Sequence, residues 1–370
     1  MLGFFLFSIP FWSFYLCVGI EGTAFKINAL LSIAIFSGYI AYAVIKREYL
    51  YIAITFVILN VFQNFVYGLS FNLNMERNTE LIFFLGIKDV FIGLSFLILM
   101  ILDRKLIARF TTNVKIHDIP LIIWFIFIGV HFIISGAPLM AKVSYLRNFT
   151  FCFLLFYIGQ IIIIHNKDAV PTFLKFVILL GIAACIFEFF EMLFFDRYLY
   201  GEVFNIPKLY QAKYKFDTVP DLPGGRDYRF YTDIAGMAIK RCGSFLFEPV
   251  SLSYFLAFVW VVLLFINDKR NLWIWILITV GLAFSFGKGG FIAAFISLTG
   301  FLFFRKKPEK KIYHLLLIIL PYVVVLLFFS KQLSHSAVAH VVALTYAFYN
   351  LGSNILGQGM GVGGNFGTMF

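Results

Sequence analysis

TFLKFVILLGIAACIFEFFEMLFF, residues 172–195, decides the fold class. One lysine stands near its start and two glutamates near its end, with little else that is polar between them. As an α-helix rising about 1.5 Å per residue, the stretch is long enough to cross a hydrocarbon core about 30 Å thick. A surface helix of a soluble protein of this length would carry a polar stripe along its outer face, and this one has none. The reading is a transmembrane helix. Its two carboxylates, Glu188 and Glu191, are three residues apart and therefore share a face.

Blocks of the same kind recur near residues 3–20, 27–45, 50–71, 81–102, 119–135, 149–164, 243–266, 272–286, 289–304 and 312–330. With 172–195 they predict an all-α polytopic membrane protein of about 11 transmembrane helices, a single membrane-embedded domain over residues 1–370. Composition agrees, because only 13% of residues are charged at a mean hydropathy of +0.91, against roughly a quarter in a soluble domain. Fifty phenylalanines and nineteen tyrosines suit lipid-facing surfaces and interface belts. The net charge of +11 does not point to nucleic acid, since in so apolar a chain basic residues gather in the short loops that set orientation. Cys17, Cys152, Cys185 and Cys242 form no C-x-x-C pair and no His/Cys ligand spacing, so neither a metal site nor a disulfide framework is expected. The opening MLGFFLFSIPFWSFYLCVGI lacks a basic n-region and a cleavage site, and is expected to be a retained first helix.

Lysine and arginine fix the orientation. With the N-terminus in the cytoplasm, the inner loops hold Lys46, Arg47, Arg104, Lys105, Arg109, Lys115, Lys167, Lys175, Lys269, Arg270, Arg305, Lys306, Lys307, Lys310 and Lys311, fifteen in all. The short outer segments hold six: Lys26, Arg77, Lys142, Arg147, Lys288 and Lys331. The positive-inside rule therefore selects a cytoplasmic N-terminus. Two sizeable external segments follow, the loop 196–242 and the tail 331–370. The loop contains the turn-rich DTVPDLPGGRDYRF, and the tail an apolar periodic run, HSAVAHVVALTYAFYN, that fits a helix along the outer interface.

Charge inside a membrane is expensive and marks function by default. In this topology Lys88, Asp89, Glu188, Glu191, His131 and the Gln63–Asn64 pair all fall in outer halves, and the inner halves carry almost nothing ionisable. Each carboxylate is either half of a structural ion pair or part of a water-filled crevice. Lys88 and Asp89, adjacent in sequence, need partners on other helices, and Glu188 at similar depth is a candidate. One-sided polarity favours an enzyme working at the outer face over a transporter, whose site is expected near the midplane.

Two segments read as ligand-binding. The first is Arg241-Cys-Gly-Ser-Phe-Leu-Phe-Glu248-Pro249. Proline suits the first helical turn and turns its predecessor away from helix, so the helix should begin at Pro249 after an irregular entry over 241–247. Non-helical backbone at membrane depth is tolerated where it lines a cavity. Glu248 either caps that helix or serves a reaction. The second is Phe284-Ser-Phe-Gly-Lys288-Gly-Gly, a turn between two short spans, which would sit below the outer headgroups with Lys288 at phosphate depth. Ordinary snorkelling of Lys288 is the alternative. In the tail, Gly359-Met-Gly361-Val-Gly363-Gly364 satisfies G-x-G-x-x-G, but no strand precedes it and no crossover unit follows, so dinucleotide binding is rejected.

In this order and separation, these segments resemble the core of the O-antigen polymerase and O-antigen ligase superfamily. The counterparts are Arg241, Gly243, Phe245 and Pro249; then Ser285-Phe-Gly-Lys288-Gly; then Leu356-Gly-Gln-Gly-Met-Gly361. Ala-Lys-Val-Ser-Tyr-Leu-Arg147-Asn-Phe resembles the arginine-bearing outer loop that precedes a helix in that family. The likeness covers roughly residues 130–364 and lies in sparse motifs. Lys288 stands where the family more often has arginine, and the phenylalanine-to-proline spacing is one residue longer than usual. The chain ends just after the glycine motif, where relatives continue, which is either an unusual ending or a truncation.

The resemblance implies a glycosyltransferase that polymerises undecaprenyl-diphosphate-linked repeat units on the outer face of a bacterial inner membrane. The alternatives are a ligase that transfers polysaccharide to lipid A-core in lipopolysaccharide biosynthesis, and a lipid-linked oligosaccharide flippase or other transporter. Implied partners are the lipid-linked oligosaccharide, membrane lipid and, as an option, a chain-length regulator protein. Arg241, Arg147, Lys288 and Lys142 are the expected cations for the diphosphate. Glu248 is the first choice for the base that takes the acceptor hydroxyl proton, and His335 or His340 the alternative, because the ligase branch uses a histidine from that loop. No acidic pair suggests a metal, so neither metal nor cofactor is expected.

Overall fold

A computed structural model describes residues 23–71, 78–103, 118–193, 203–204, 206, 231–234, 237–266 and 272–305. These residues are mostly helical. In chain order they form α1 (Thr23–Lys46), α2 (Tyr49–Phe71), α3 (Asn78–Leu102), α4 (Asp118–Ile134), α5 (Leu139–His165) and α6 (Ala169–Leu193). A short hairpin follows, β1 (Tyr231–Ile234) and β2 (Met237–Lys240), then a single 3-10 turn over Ser244–Leu246. The described part closes with α7 (Pro249–Ile266), α8 (Leu272–Phe284) and α9 (Lys288–Arg305). The hairpin is antiparallel, pairing Tyr231 with Lys240 and Ile234 with Met237.

Each of the nine middle apolar blocks coincides with one helix, and the all-α class holds but for the hairpin. The blocks near 3–20 and 312–330 lie outside the described residues, as does the tail 331–370. By length and apolarity alone, Ala141–His165 and Ala169–Leu193 are sufficient to cross a membrane, and seven further apolar stretches are 10–17 residues long. The expected count of about 11 spans is not established by these lengths.

One expectation needs correction. The stretch Ala141–Phe149, expected as an outer loop, is the opening of α5. Pro138 sits at the N-cap with φ −54° and ψ 144°, and its carbonyl accepts the Lys142 amide at 3.1 Å. No glycine or proline follows to break the turn, so the helix runs through Lys142 and Arg147 despite their charge. Several helix ends carry polar contacts just outside the expected spans. Asp103, just past α3, pairs with His165 Nε2 at the end of α5, and Tyr49 at the start of α2 donates to the same carboxylate at 3.3 Å. The Tyr49 and His165 rings stack 4.7 Å apart, and Tyr157 donates to Asp118 at 3.3 Å.

The helices pack into two cores. One gathers Phe36, Ile40, Ile52, Phe91, Leu99 and Ile158 from α1, α2, α3 and α5. The other gathers Val177, Cys185, Leu252, Leu256, Val259, Ile278 and Leu282 from α6, α7 and α8. The segment before α7 stitches them together. Cys242, Phe245 and Leu246 enter the second core, while Phe247 enters the first, packing on Phe65 and Phe204 at ring distances of 5.8 and 4.5 Å. Phe247 makes this switch in a left-handed conformation (φ 50°, ψ 25°), uncommon for a bulky residue and sustained here by burial on both sides.

The polarity of α6 is inverted relative to a soluble helix. Its buried residues are Ala169, Val177, Gly181, Ala184, Cys185, Glu188 and Glu191, a stripe at helical spacing. Its exposed residues include Leu179, Ile186, Phe189, Phe190 and Leu193. Carboxylates point inward and phenylalanines outward. The other helices likewise expose large apolar side chains, among them Leu30, Ile45, Leu97, Ile133 and Trp273.

Candidate functional site

The two segments singled out in the sequence meet. Arg241 Nε donates to the Ser285 carbonyl at 3.2 Å, and the Cys242 amide donates to the Phe284 carbonyl at 3.3 Å. The irregular entry over 241–247 is therefore laid against the turn that joins α8 to α9, and α7 starts at Pro249 as expected.

The entry is irregular because its backbone is held from several sides. Glu191, wholly buried on α6, accepts the Ser244 amide at 2.7 Å and the Gly243 amide at 3.1 and 3.2 Å through its two oxygens. Gly243 is right-handed (φ −109°, ψ −14°) and Ser244 has φ +49°. That alternation turns successive amides towards one point and makes an anion-binding concavity. The carboxylate of Glu191 fills it. These bonds offset the cost of holding a serine at positive φ. Ser244 Oγ donates to the Ala184 carbonyl at 2.8 Å, Asn64 Nδ2 to the Leu246 carbonyl at 2.7 Å and Lys240 Nζ to the Glu191 carbonyl at 3.2 Å. Phe245 stacks on Phe62 at 4.8 Å.

Glu248 stands at the N-terminus of α7, half-buried, and accepts from Ser251 Oγ at 2.8 Å. Its backbone carbonyl takes the first helical bond, from the Leu252 amide at 2.9 Å. The side chain is thereby oriented from within its own helix turn, one residue past the entry segment.

The turn at 285–287 is tight for a packing reason. Ser285 is fully buried, its hydroxyl donates to the Leu282 carbonyl at 2.7 Å, and Phe286 reverses the chain with φ +44°. A methyl group at Gly287 or Gly290 would overlap Ser253, and one at Gly289 would overlap the Tyr254 phenol. The Gly-Lys-Gly-Gly run, read in the sequence as a ligand turn, thus owes its glycines to the close crossing of α9 on α7. Lys288 opens α9 in backbone. Its side chain lies outside the described residues, as do His335 and His340.

Arg147 and Lys142 belong to a different contact. Arg147 Nη1 pairs with Asp89 at 3.2 Å across α5 and α3, and its other nitrogens donate to Asn148 Oδ1 at 3.1 and 3.2 Å. Lys142 lies 5.8 Å from the centre of the Phe132 ring. Asp89 thus pairs with Arg147, while the side chain of Lys88 lies outside the described residues. Glu188 is 1% exposed, and neither of its oxygens has a hydrogen-bond partner among the described residues. It abuts Gly281 of α8 beside Cys185. His131 packs against Phe127 with ring centres 4.1 Å apart.

No family model, curated protein or solved structure matches the chain. The functional reading therefore rests on the residues themselves. Sequence reasoning had named Arg241, Glu248 and the 285–288 turn, but not the hold of Glu191 on Gly243 and Ser244, nor that of Asn64 on Leu246. The signal for the first was present, since Glu188 and Glu191 share a face with Gly181, Ala184 and Cys185, a stripe of small residues that marks the side meeting other backbone.

Proposed function

We propose that this chain is a membrane-embedded glycosyltransferase that polymerises undecaprenyl-diphosphate-linked repeat units on the outer face of a bacterial inner membrane. The observation that carries the reading is the 3.2 Å bond from Arg241 Nε to the Ser285 carbonyl. It joins two sequence segments, each bearing a cation and each resembling a motif of that superfamily, into one place. The membrane setting is supported by the inverted polarity of α6 and by the apolar residues exposed along the other helices. About eleven spans with the N-terminus inside complete the proposed topology.

Little machinery is required. The acceptor hydroxyl oxygen attacks the anomeric carbon of the donor, and the bond from that carbon to the diphosphate oxygen breaks. The hydroxyl proton passes to a carboxylate, for which Glu248 is the candidate. Undecaprenyl diphosphate leaves with the electron pair, and cations held in a site of low dielectric stabilise that charge. A guanidinium has five N–H donors in a fixed fork. One of them, Nε–H, serves Ser285 and so fixes the orientation of the guanidinium. Lys288, at the head of α9, supplies a second cation.

The test is the chain-length ladder of lipid-linked polymer in a complemented deletion strain, with protein level checked by blot. Removing a cation that stabilises leaving-group charge lowers rate by about 10²–10³, so Arg241→Ala should abolish long chains at unchanged protein level. Arg241→Lys should rescue poorly, because a point charge cannot replace a planar fork, while Lys288→Arg should be tolerated. A normal ladder from Arg241→Ala at equal protein level overturns the proposal and favours a transporter.

A further inference from the structure

Glu191, read in the sequence as either half of an ion pair or part of a water-filled crevice, holds backbone amides with its carboxylate. It sits in the concavity formed by Gly243 and Ser244, with contacts at 2.7, 3.1 and 3.2 Å, and is wholly buried. The concavity has the form that binds phosphate in other proteins, but here the chain's own carboxylate fills it, so these amides are not donors to a substrate phosphate. Two residues before Gly243, Arg241 bonds the Ser285 carbonyl, and one residue before it the Cys242 amide bonds the Phe284 carbonyl. Only Cys242 separates Gly243 from Arg241, so a shift of the held backbone is passed directly to Arg241.

We infer that Glu191 is a positioning residue, a buried carboxylate clamp that presents Arg241 to the donor diphosphate by gripping the backbone two and three residues further on. The part concerning the diphosphate rests on the glycosyltransferase reading, whereas the clamp itself does not.

Glutamine is the informative replacement. It keeps the shape and one acceptor oxygen but sets an NH₂ group against an amide donor. Aspartate keeps the charge but falls short by one methylene. Cys242 reports the clamp independently of function. It is wholly buried, forms no disulfide and lies in the segment the clamp holds. In a background with Cys17, Cys152 and Cys185 replaced by alanine, N-ethylmaleimide should label Cys242 slowly while Glu191 is intact. Loss of one hydrogen bond with its desolvation penalty, about 1–3 kcal/mol, corresponds to roughly five- to 150-fold faster labelling in Glu191→Gln, with Glu191→Asp between the two. If the glutamine variant does not insert, the aspartate variant carries the same comparison. Equal protection of Cys242 in every inserted variant overturns the clamp.

Activity tests the link to Arg241. At equal inserted protein, Glu191→Gln should slow polymerisation about tenfold, by the same hydrogen-bond loss. Arg241→Ala should slow it about a hundredfold. If one residue acts through the other, the double variant is no slower than Arg241→Ala alone, and multiplication to about a thousandfold overturns the coupling. A merely structural role would lower the amount of inserted protein without producing that non-additivity. Should Arg241→Ala polymerise normally, the glycosyltransferase reading fails, while the labelling of Cys242 still decides the clamp.

Discussion

Gly281 offers a quantitative test of how α6, α7 and α8 meet. A methyl group built there would overlap Cys185 Sγ, lie 2.9 Å from Glu188 Oε2 and lie 3.3 Å from Leu256 Cδ1. Cys185 is 4% exposed, Glu188 1% and Leu256 0%, so none of them can step aside into open space. Overpacking of this kind costs about 1–3 kcal/mol, and Gly281→Ala should lower thermal stability accordingly. Cys185→Ala alone removes a buried sulfur and costs about 1 kcal/mol, close to the value of a buried methylene. The same change vacates the space the new methyl needs. The double variant should therefore melt above Gly281→Ala, with a favourable coupling of about 0.5–3 kcal/mol. The assay is size-exclusion chromatography of detergent-solubilised, fluorescently tagged protein after heating to a series of temperatures. Wild-type stability of Gly281→Ala, or strict additivity of the two changes, would refute the packing described.

Three further outcomes are expected. Asp103→Ala leaves His165 and Tyr49 without their shared acceptor, and an orphaned buried donor costs about 1–3 kcal/mol; melting of the solubilised protein should fall, while the polymer ladder at low growth temperature keeps its length. Single cysteines introduced at positions 306 and 220 and probed in intact cells with an impermeant maleimide should label at 220 only, and labelling at 306 alone would reverse the topology. Glu248→Gln removes the proposed base while leaving an acceptor for Ser251, so polymer should vanish with protein level unchanged; a normal ladder would move the base to another residue.

The helices were legible because apolar runs of membrane length have few other uses. Their ends were less so. The start of α5 at Leu139 was set by Pro138 and not by hydropathy, which misplaced Lys142 and Arg147 into a loop. The entry over 241–247 and the start of α7 followed from the Glu248-Pro249 step, a local steric effect that needs no tertiary knowledge. The small residues on its face mark Glu191 as meeting other backbone, but which groups Glu191 and Asn64 bind was not legible, because backbone groups are identical at every position of a sequence. The Tyr49–Asp103–His165 contact was missed for another reason. Its members stand at helix ends, where polar residues are expected as loop, and only the packing of α2, α3 and α5 brings them together.

A machine that carries cargo by rocking one group of helices against another needs a seam along which the groups can slide. Between the two cores of this protein the seam is sewn shut. Within six residues the chain passes from Cys242 in one core to Phe247 in the other. Any slide would pull Phe247 away from Phe65 and Phe204 on each stroke. Truncating a buried phenylalanine typically costs about 3–5 kcal/mol, a toll of that order to be met at every turnover. The scaffold is suited to standing still.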